Sequence, residues 1–400
     1  QMIINGRDAD GSTNEVIEVL NPYTNEVIDT VPSATREDVD EAVRCAAEAQ
    51  KKWKKVPVYK RAEIVKNFLE LVRRDEMDLR RTLSLESGKT MTETKVEWNN
   101  LFTAWSAFAE KAKHLYDETI PGGQEFNHDN NIVITKREPI GVVACVVPFN
   151  FPCNLFTQKV APTLLAGNAA IVKPATDNPL TVIKLCRLLR EAGVPDGVLQ
   201  VLTGRGAVVG DYLVAHEGVH VVSLTGSTEV GIAVAKSTAA TLKKIALELG
   251  GNDAFIVLED ADLDLAVDEA VRGRFFYAGQ ICCAPKRFII HQSLYEQFIA
   301  AVTERIAAFK AGDPILEDTQ VGTLISSKAA KTVGEQIEKT VVQGGKIILG
   351  GHVKGAFVEP TVIRDVPFEA DIMHDMEVFG PVMPITSFEN EDDALALAND

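Results

Sequence analysis

The apolar residues fall into two textures along the chain. Val16–Leu20 and Val27–Val31 flank the segment Asn21-Pro22-Tyr23-Thr24-Asn25, which reads as two strands about a turn. Helical patterning follows. Thr35 and Asp38 stand at the spacing of a capping box, and Val39, Ala42, Val43, Ala46 and Ala47 recur behind them at the helical period. A second amphipathic stretch carries Ile64, Phe68, Leu71 and Val72. Segment 118–135 breaks the pattern with Pro121-Gly122-Gly123 and a polar run from Asn127 to Asn131, as an arm or hairpin would. From residue 140 the texture changes. Val142–Val147 is continuously apolar, as expected of a parallel strand buried on both faces. Similar runs follow at Ala169–Val172, Val198–Leu202, Val219–Leu224 and Phe255–Leu258, several of them separated by helix-length segments. This alternation predicts an α/β fold with a doubly wound parallel sheet.

Ligands of such sheets bind where loops leave the carboxyl ends of strands. Four exits carry candidate chemistry. Pro148-Phe149-Asn150-Phe151-Pro152 is a stiff turn that could hold an amide donor, or an ordinary turn with a local Asn cap. Lys173-Pro174-Ala175-Thr176 offers a cation to a phosphate or ribose, or only a solvated lysine. Gly204-Arg205-Gly206 with Gly210 misses the dinucleotide fingerprint by one residue, and close helix–strand packing explains it equally. Thr225-Gly226-Ser227 opens a helix, as an anion site or simply as an N-cap. Gly88-Lys89-Thr90 is not a phosphate loop, because Leu83 stands where the first Gly of that motif belongs.

Composition narrows the partners. The 400 residues are 46% apolar and 24% charged, ordinary for a globular chain of two or three domains. A net charge of −16 repels phosphate backbones and argues against nucleic acid, though not against a local basic pocket. No apolar run has the length of a membrane span, and Gln1 to Asp8 lacks the pattern of a signal peptide. Six scattered cysteines predict reduced thiols and a cytoplasmic protein, so an unusual Cys becomes a candidate for chemistry.

Two segments are sharper. Leu247-Glu248-Leu249-Gly250-Gly251-Asn252 sets a carboxylate in an apolar strand, where burial would raise its pKa into the range of a general base. A structural Glu bonded to backbone or to a Lys is the alternative. Tyr277-Ala278-Gly279-Gln280-Ile281-Cys282-Cys283 follows a predicted helix from Leu263 to Phe276. Its Cys is a candidate nucleophile or a small buried residue. Adjacent cysteines chelate metals poorly, and no other Cys or His stands at zinc spacing, so no metal is expected.

Taken in order, these segments resemble the NAD(P)-dependent aldehyde dehydrogenase superfamily. The matching stretches are Pro148–Pro152, Lys173-Pro174-Ala175, Leu224–Gly231, Leu247–Gly251, Gly279–Cys282 and Glu377–Val382. Each is weak alone; six in sequence are specific. The resemblance implies Cys282 as nucleophile, Glu248 as general base and Asn150 as oxyanion donor together with the Cys282 N–H. It implies cofactor contacts at Pro148, Phe149, Lys173, Thr176, Gly206, Gly210, Thr225, Gly226, Ser227, Leu249, Glu377 and Phe379. Asn154, Ile281 and Cys283 are expected at the substrate pocket. The implied reaction oxidises an aldehyde to a carboxylic acid through a thiohemiacetal and a thioester.

Many NAD-preferring members carry Glu three positions after the Lys, to bind the ribose 2′-hydroxyl. Thr176 stands there, so NADP is expected over NAD, with the neighbouring Asp177 arguing the other way. Gly204–Tyr212 and Tyr277–Arg287 look like the branch of lactaldehyde and non-phosphorylating glyceraldehyde-3-phosphate dehydrogenases. Members binding the phosphorylated substrate place Arg where Ile281 stands, and another Arg where His114 falls. Lactaldehyde or a semialdehyde is therefore expected. The alternatives are glyceraldehyde 3-phosphate oxidation, a CoA-acylating semialdehyde dehydrogenase, and a non-catalytic protein on the same scaffold. Glu248 favours water over CoA. The expected organisation is a Rossmann-like cofactor domain over 1–117 and 139–248, a catalytic α/β domain over 249–400, and an oligomerisation arm over 118–138 of a homodimer or homotetramer. Members usually run some 70 to 90 residues further, so the resemblance implies that the catalytic domain is incomplete, the chain stopping in an expected helix at Ala398-Asn399-Asp400.

Overall fold

The computed structural model describes residues 1–399. Asp400, expected in the last helix, lies outside the described residues. Two sheets organise the chain. The first has seven strands in the order Lys244–Glu248, Val221–Thr225, Val142–Val146, Ala169–Lys173, Leu199–Val201, Met2–Ile4, Arg7–Ala9. The first five run parallel. Alternate residues of these strands feed two cores. Val143, Cys145, Val147, Ala170 and Val172 pack on one side, and Val142, Ala144, Ala169, Ile171, Val222 and Leu224 on the other. Burial on both faces is what the continuous apolar runs require.

The parallel expectation holds for the centre of the sheet and fails at one edge. Met2–Ile4 and Arg7–Ala9 pair antiparallel there. The second sheet has five strands in the order Ala254–Val257, Arg287–His291, Val382–Phe388, Thr361–Arg364, Lys346–Leu349. It too is parallel apart from the antiparallel edge strand Lys346–Leu349. A hairpin or short edge strand joins without a crossover helix, so edges tolerate the reversal.

Local signals are realised closely. The capping box forms: Thr35 N donates to Asp38 Oδ2 at 2.8 Å and Asp38 N to Thr35 Oγ1 at 3.3 Å, opening the helix Arg36–Trp53. Val16–Leu20 and Val27–Pro32 pair as a hairpin, with Asn25 in the left-handed region at φ +60°. Segment 118–135 contains a two-stranded ribbon, Thr119–Ile120 against Val133–Ile134. Among the described residues no helix is long and apolar enough to cross a membrane.

Candidate active site

In the first sheet the chain runs outward from Val142–Val146 to Ala169–Lys173 and Leu199–Val201, then returns on the other side as Val221–Thr225. The winding reverses between Val142–Val146 and Val221–Thr225, and sheets of this kind take ligands in the crevice outside the carboxyl ends at such a reversal. Pro148, Phe149 and Asn150 leave one strand there, and Thr225, Gly226 and Ser227 leave the other. Ser227 caps the helix Thr228–Ala239, accepting a hydrogen bond from Val230 N at 3.4 Å.

The neighbouring exits converge. Lys173 is buried, and its Nζ donates to the Pro174 carbonyl at 3.0 Å. A Cβ on Gly210 would lie 3.5 Å from its side chain. Thr176 Oγ1 donates to the Gly204 carbonyl at 3.2 Å, tying two of the loops together. Gly206 is exposed, and no atom lies within 4 Å of where its Cβ would stand. Burial pushes the Lys173 ammonium down to about 8, with Asp177 opposing. A buried cation, open glycine backbone and a helix N-terminus fit the phosphates of a dinucleotide.

The second sheet supplies the cysteine. The helix Leu263–Phe275 ends in a tight turn, Phe276–Gly279, where Tyr277 and Ala278 take left-handed φ values of +47° and +46°. Each costs roughly 1–2 kcal/mol and persists only where the surroundings impose it. A buried polar segment imposes it here. Glu93 accepts from Tyr277 N at 2.7 Å, and the Tyr277 hydroxyl donates to the Ser87 carbonyl at 3.0 Å. Lys89 Nζ sits 4.4 Å from the Tyr277 ring and 3.8 Å from the Phe151 ring. Lys89 is paired with the equally buried Glu97, so it is a structural cation and no phosphate loop. Glu97 also accepts from the backbone N–H of Cys153 at 2.7 Å and of Asn154 at 3.2 Å.

Beyond the turn, Asn150 Nδ2 donates to the Gln280 carbonyl at 3.1 Å, and Asn150 Oδ1 accepts from Phe151 N at 3.1 Å. Asn150 is thus held two residues from Cys282. Cys282 and Ile281 are half-buried, and Cys283 is exposed. Burial pushes the Cys282 thiol up, Cys283 adds to this, and the Lys286 ammonium opposes it. Lys286 Nζ donates to the Cys282 carbonyl and stands 3.1 Å from Glu377 Oε1. The loop of Glu377 is held by the buried Arg274, which donates to the carbonyls of Val378 at 2.8 Å and Gly380 at 2.7 Å. Phe379 meets Phe149 edge to face at 5.9 Å, joining the two sheets' loops.

Glu248 departs from expectation. It ends the strand Lys244–Glu248 beside Thr225, yet it is exposed rather than buried. The apolar flanks suggested a central strand, but among the described residues this is the outermost strand of its sheet, with one neighbour. Leu249 turns inward against Gly231, where a Cβ would lie 2.5 Å from it. Gly250 touches Glu377: a Cβ there would lie 2.1 Å from Oε2. The Glu248 segment therefore reaches the cysteine cluster through Glu377.

Three features escaped the motif reading. Lys159 is buried under the crevice, donating to Thr225 Oγ1 at 2.8 Å and Ser223 Oγ at 3.4 Å. Burial pushes it down, while Cys145 and Glu248 pull it up. Its signal was its place as the single charged residue of the helix Pro152–Leu165. Lys286 and Arg274 gave no such signal, each lying beside other charges in the sequence.

The sequence profile of the aldehyde dehydrogenase family matches residues 9–400. The NADP(+) succinate-semialdehyde dehydrogenase GabD of Escherichia coli K12 is 36% identical over 405 residues, covering 100% of this chain and 83% of the relative. A lactaldehyde dehydrogenase of Methanocaldococcus jannaschii is 36% identical over 399 residues, covering 98% of this chain and 83% of the relative. The crystal structure of an E. coli NADP-dependent enzyme superposes with a TM-score of 0.97 at 35% identity, covering 100% of this chain and 83% of that one. The chain belongs to the aldehyde dehydrogenase family and is an NAD(P)-dependent oxidoreductase acting on aldehydes.

Proposed function

We propose that this chain oxidises a small, unphosphorylated aldehyde to its carboxylic acid, with Cys282 as nucleophile and NADP as the preferred cofactor. The observation that carries the reading is the bond from Asn150 to the Gln280 carbonyl. It supports an amide donor kept beside the nucleophile turn, with a second N–H left for the substrate.

In this reading the Cys282 thiolate adds to the aldehyde carbon, a C–S bond forms, and the carbonyl pair moves to oxygen. Asn150 and the Cys282 N–H receive that oxyanion. The nicotinamide ring, when bound, supplies the acceptor for the hydride. The thioester left on Cys282 is then open to water. Glu248 takes a proton from that water, the C–S bond breaks, and the acid and the thiolate are released. The exposure of Glu248 supports this role, since a base that activates water must be reachable by it. Lys173, Thr176, Gly206, Gly210, Thr225, Gly226, Ser227, Leu249, Glu377 and Phe379, with Pro148 and Phe149, would hold the dinucleotide.

For the substrate, Ile281 provides no guanidinium beside Cys282. His114 is exposed and bonded to Glu110 at 3.0 Å and Tyr116 at 2.7 Å. Neither suits a phosphate dianion. Lactaldehyde or a semialdehyde fits better, with Asn154, Ile281 and Cys283 about the pocket. The chain would work as a cytoplasmic homodimer or homotetramer, with residues 1–117 and 139–248 binding cofactor, 249–400 performing the chemistry and 118–138 bridging subunits.

Steady-state rates with lactaldehyde, succinate semialdehyde and glyceraldehyde 3-phosphate, each with NAD and NADP, test this. The expected result is higher kcat/KM with an unphosphorylated aldehyde and NADP, a free acid as product, and a loss of about 10⁴-fold or more in Cys282→Ala against little change in Cys283→Ala. A faster rate with glyceraldehyde 3-phosphate, a tenfold preference for NAD, or acyl-CoA formation would each overturn the corresponding part.

A further inference from the structure

Four residues after Cys282 stands Lys286, a lysine with 1% of its surface exposed. A buried ammonium costs several kcal/mol unless its partners compensate, so the partners indicate what it is for. Lys286 has two. Its Nζ donates to the Cys282 carbonyl and lies 3.1 Å from Glu377 Oε1. The backbone beneath is pinned, since Lys286 N and Arg287 N both donate to the Asp253 carbonyl at 2.9 and 3.0 Å.

The two bonds differ in kind. The Cys282 carbonyl accepts a directed hydrogen bond. Glu377 Oε1 is buried and accepts none of good geometry, so charge alone holds it. A Cβ on Gly250 would lie 2.1 Å from Glu377 Oε2, so that oxygen is accommodated by the absence of a side chain there. Glu377 is thus free to turn toward another donor without breaking a directed bond.

We propose that Lys286 is a positioning residue that couples the cofactor-facing loop to the nucleophile: one ammonium orients the Cys282 turn and divides its charge between Cys282 and Glu377. The proposal rests on the assignment of Cys282 as nucleophile and Glu377 as a cofactor contact. Its consequence follows from electrostatics. When hydroxyl donors of a bound dinucleotide engage Glu377, less of the ammonium's charge is neutralised, and the Cys282 thiolate forms at lower pH. Among the described residues, Cys283 and Lys286 act on this thiol, and Lys286 and Arg274 act on Glu377. Lys286 is common to both pairs.

The test is the pH profile of iodoacetamide labelling of the full chain, with and without NADP(+), read as labelling lost in Cys282→Ala. In the unmodified protein NADP(+) lowers the midpoint by about half a pH unit, roughly threefold in thiolate at fixed pH. Lys286→Met raises the midpoint of the cofactor-free protein by at least as much and abolishes the NADP(+) response; Lys286→Arg restores part of both. Glu377→Gln lowers the cofactor-free midpoint, because it removes the competing carboxylate. Should Lys286→Met not fold, Lys286→Gln carries the same readouts. A Lys286→Met midpoint equal to that of the unmodified protein, or an NADP(+) response that survives the substitution, overturns the proposal. Labelling that is the same in Cys282→Ala as in the unmodified protein instead overturns the nucleophile assignment.

Discussion

Lys173 keeps an ammonium in a place that water barely reaches. Burial brings it down to about 8 from the ordinary 10.5 of a lysine. An unfolded chain would bind more protons than the folded one between those values, so this burial costs stability at neutral pH and costs less as pH rises. A bound anion would offset that cost. Below pH 8 the ammonium is charged and can meet a 2′-phosphate; above it the charge is lost. The Kd for NADP(+) is therefore expected to rise about tenfold between pH 7 and 9. The Kd for NAD(+), which lacks that phosphate, should rise far less. Fluorescence titrations at the two pH values check this, and parallel slopes for both dinucleotides would sink it. The type and order of such residues were legible in the sequence, because Lys173 sits at the end of an apolar run. Their surroundings were not. Nothing in Leu247-Glu248-Leu249 tells whether a strand lies at the centre or the edge of a sheet, and Glu248 is exposed because its strand has a neighbour on one side only.

The turn Phe276–Gly279 shows how an element depends on segments far from it in sequence. Two left-handed residues precede Gly279, itself at φ +74°. A Cβ on Gly279 would lie 2.2 Å from the Gly380 carbonyl oxygen, a backbone atom that Arg274 holds in place. Neither side can yield easily. Gly279→Ala is expected to destabilise the protein by about 1–3 kcal/mol through the backbone alone, with more from the clash. It should also displace Cys282 and lower kcat at least tenfold. Thermal denaturation together with kcat measures both, and an alanine variant with unchanged melting and rate would refute the packing argument. The strands around this turn were readable because burial on both faces writes itself as continuous apolar residues. The polar segment Ser84–Glu97 beneath it was not. Ser87, Lys89, Glu93 and Glu97 resemble the solvated side of a helix, and only the fold turns them inward, where each side chain meets a backbone group or an opposite charge.

At the scale of the molecule, the ribbon Thr119–Ile120 and Val133–Ile134 stands apart from all four hydrophobic cores of the described residues. Two short strands do not sustain themselves in water, and this pair with its connecting segment exposes Phe126 at 92%, Ile132 at 81% and Ile134 at 67%. An open ribbon with apolar side chains is a template for another edge, and proteins that keep one generally cover it. The outer strand Lys244–Glu248 offers a second open edge on the same molecule, with Ile245 exposed. These features favour a second copy of the chain as the cover. An acidic chain of net charge −16 resists association at low ionic strength, so apolar contact must overcome repulsion that salt screens. The assembly should therefore tighten as salt is raised. Ile132→Asp with Ile134→Asp, at the second strand of the ribbon and away from the hydrophobic cores, should weaken self-association at least tenfold while leaving the melting of the subunit nearly unchanged. Sedimentation equilibrium at two salt concentrations reads both effects. A mass that stays that of one chain at every concentration, or an assembly indifferent to the two aspartates, would show that the ribbon is not an interface between copies.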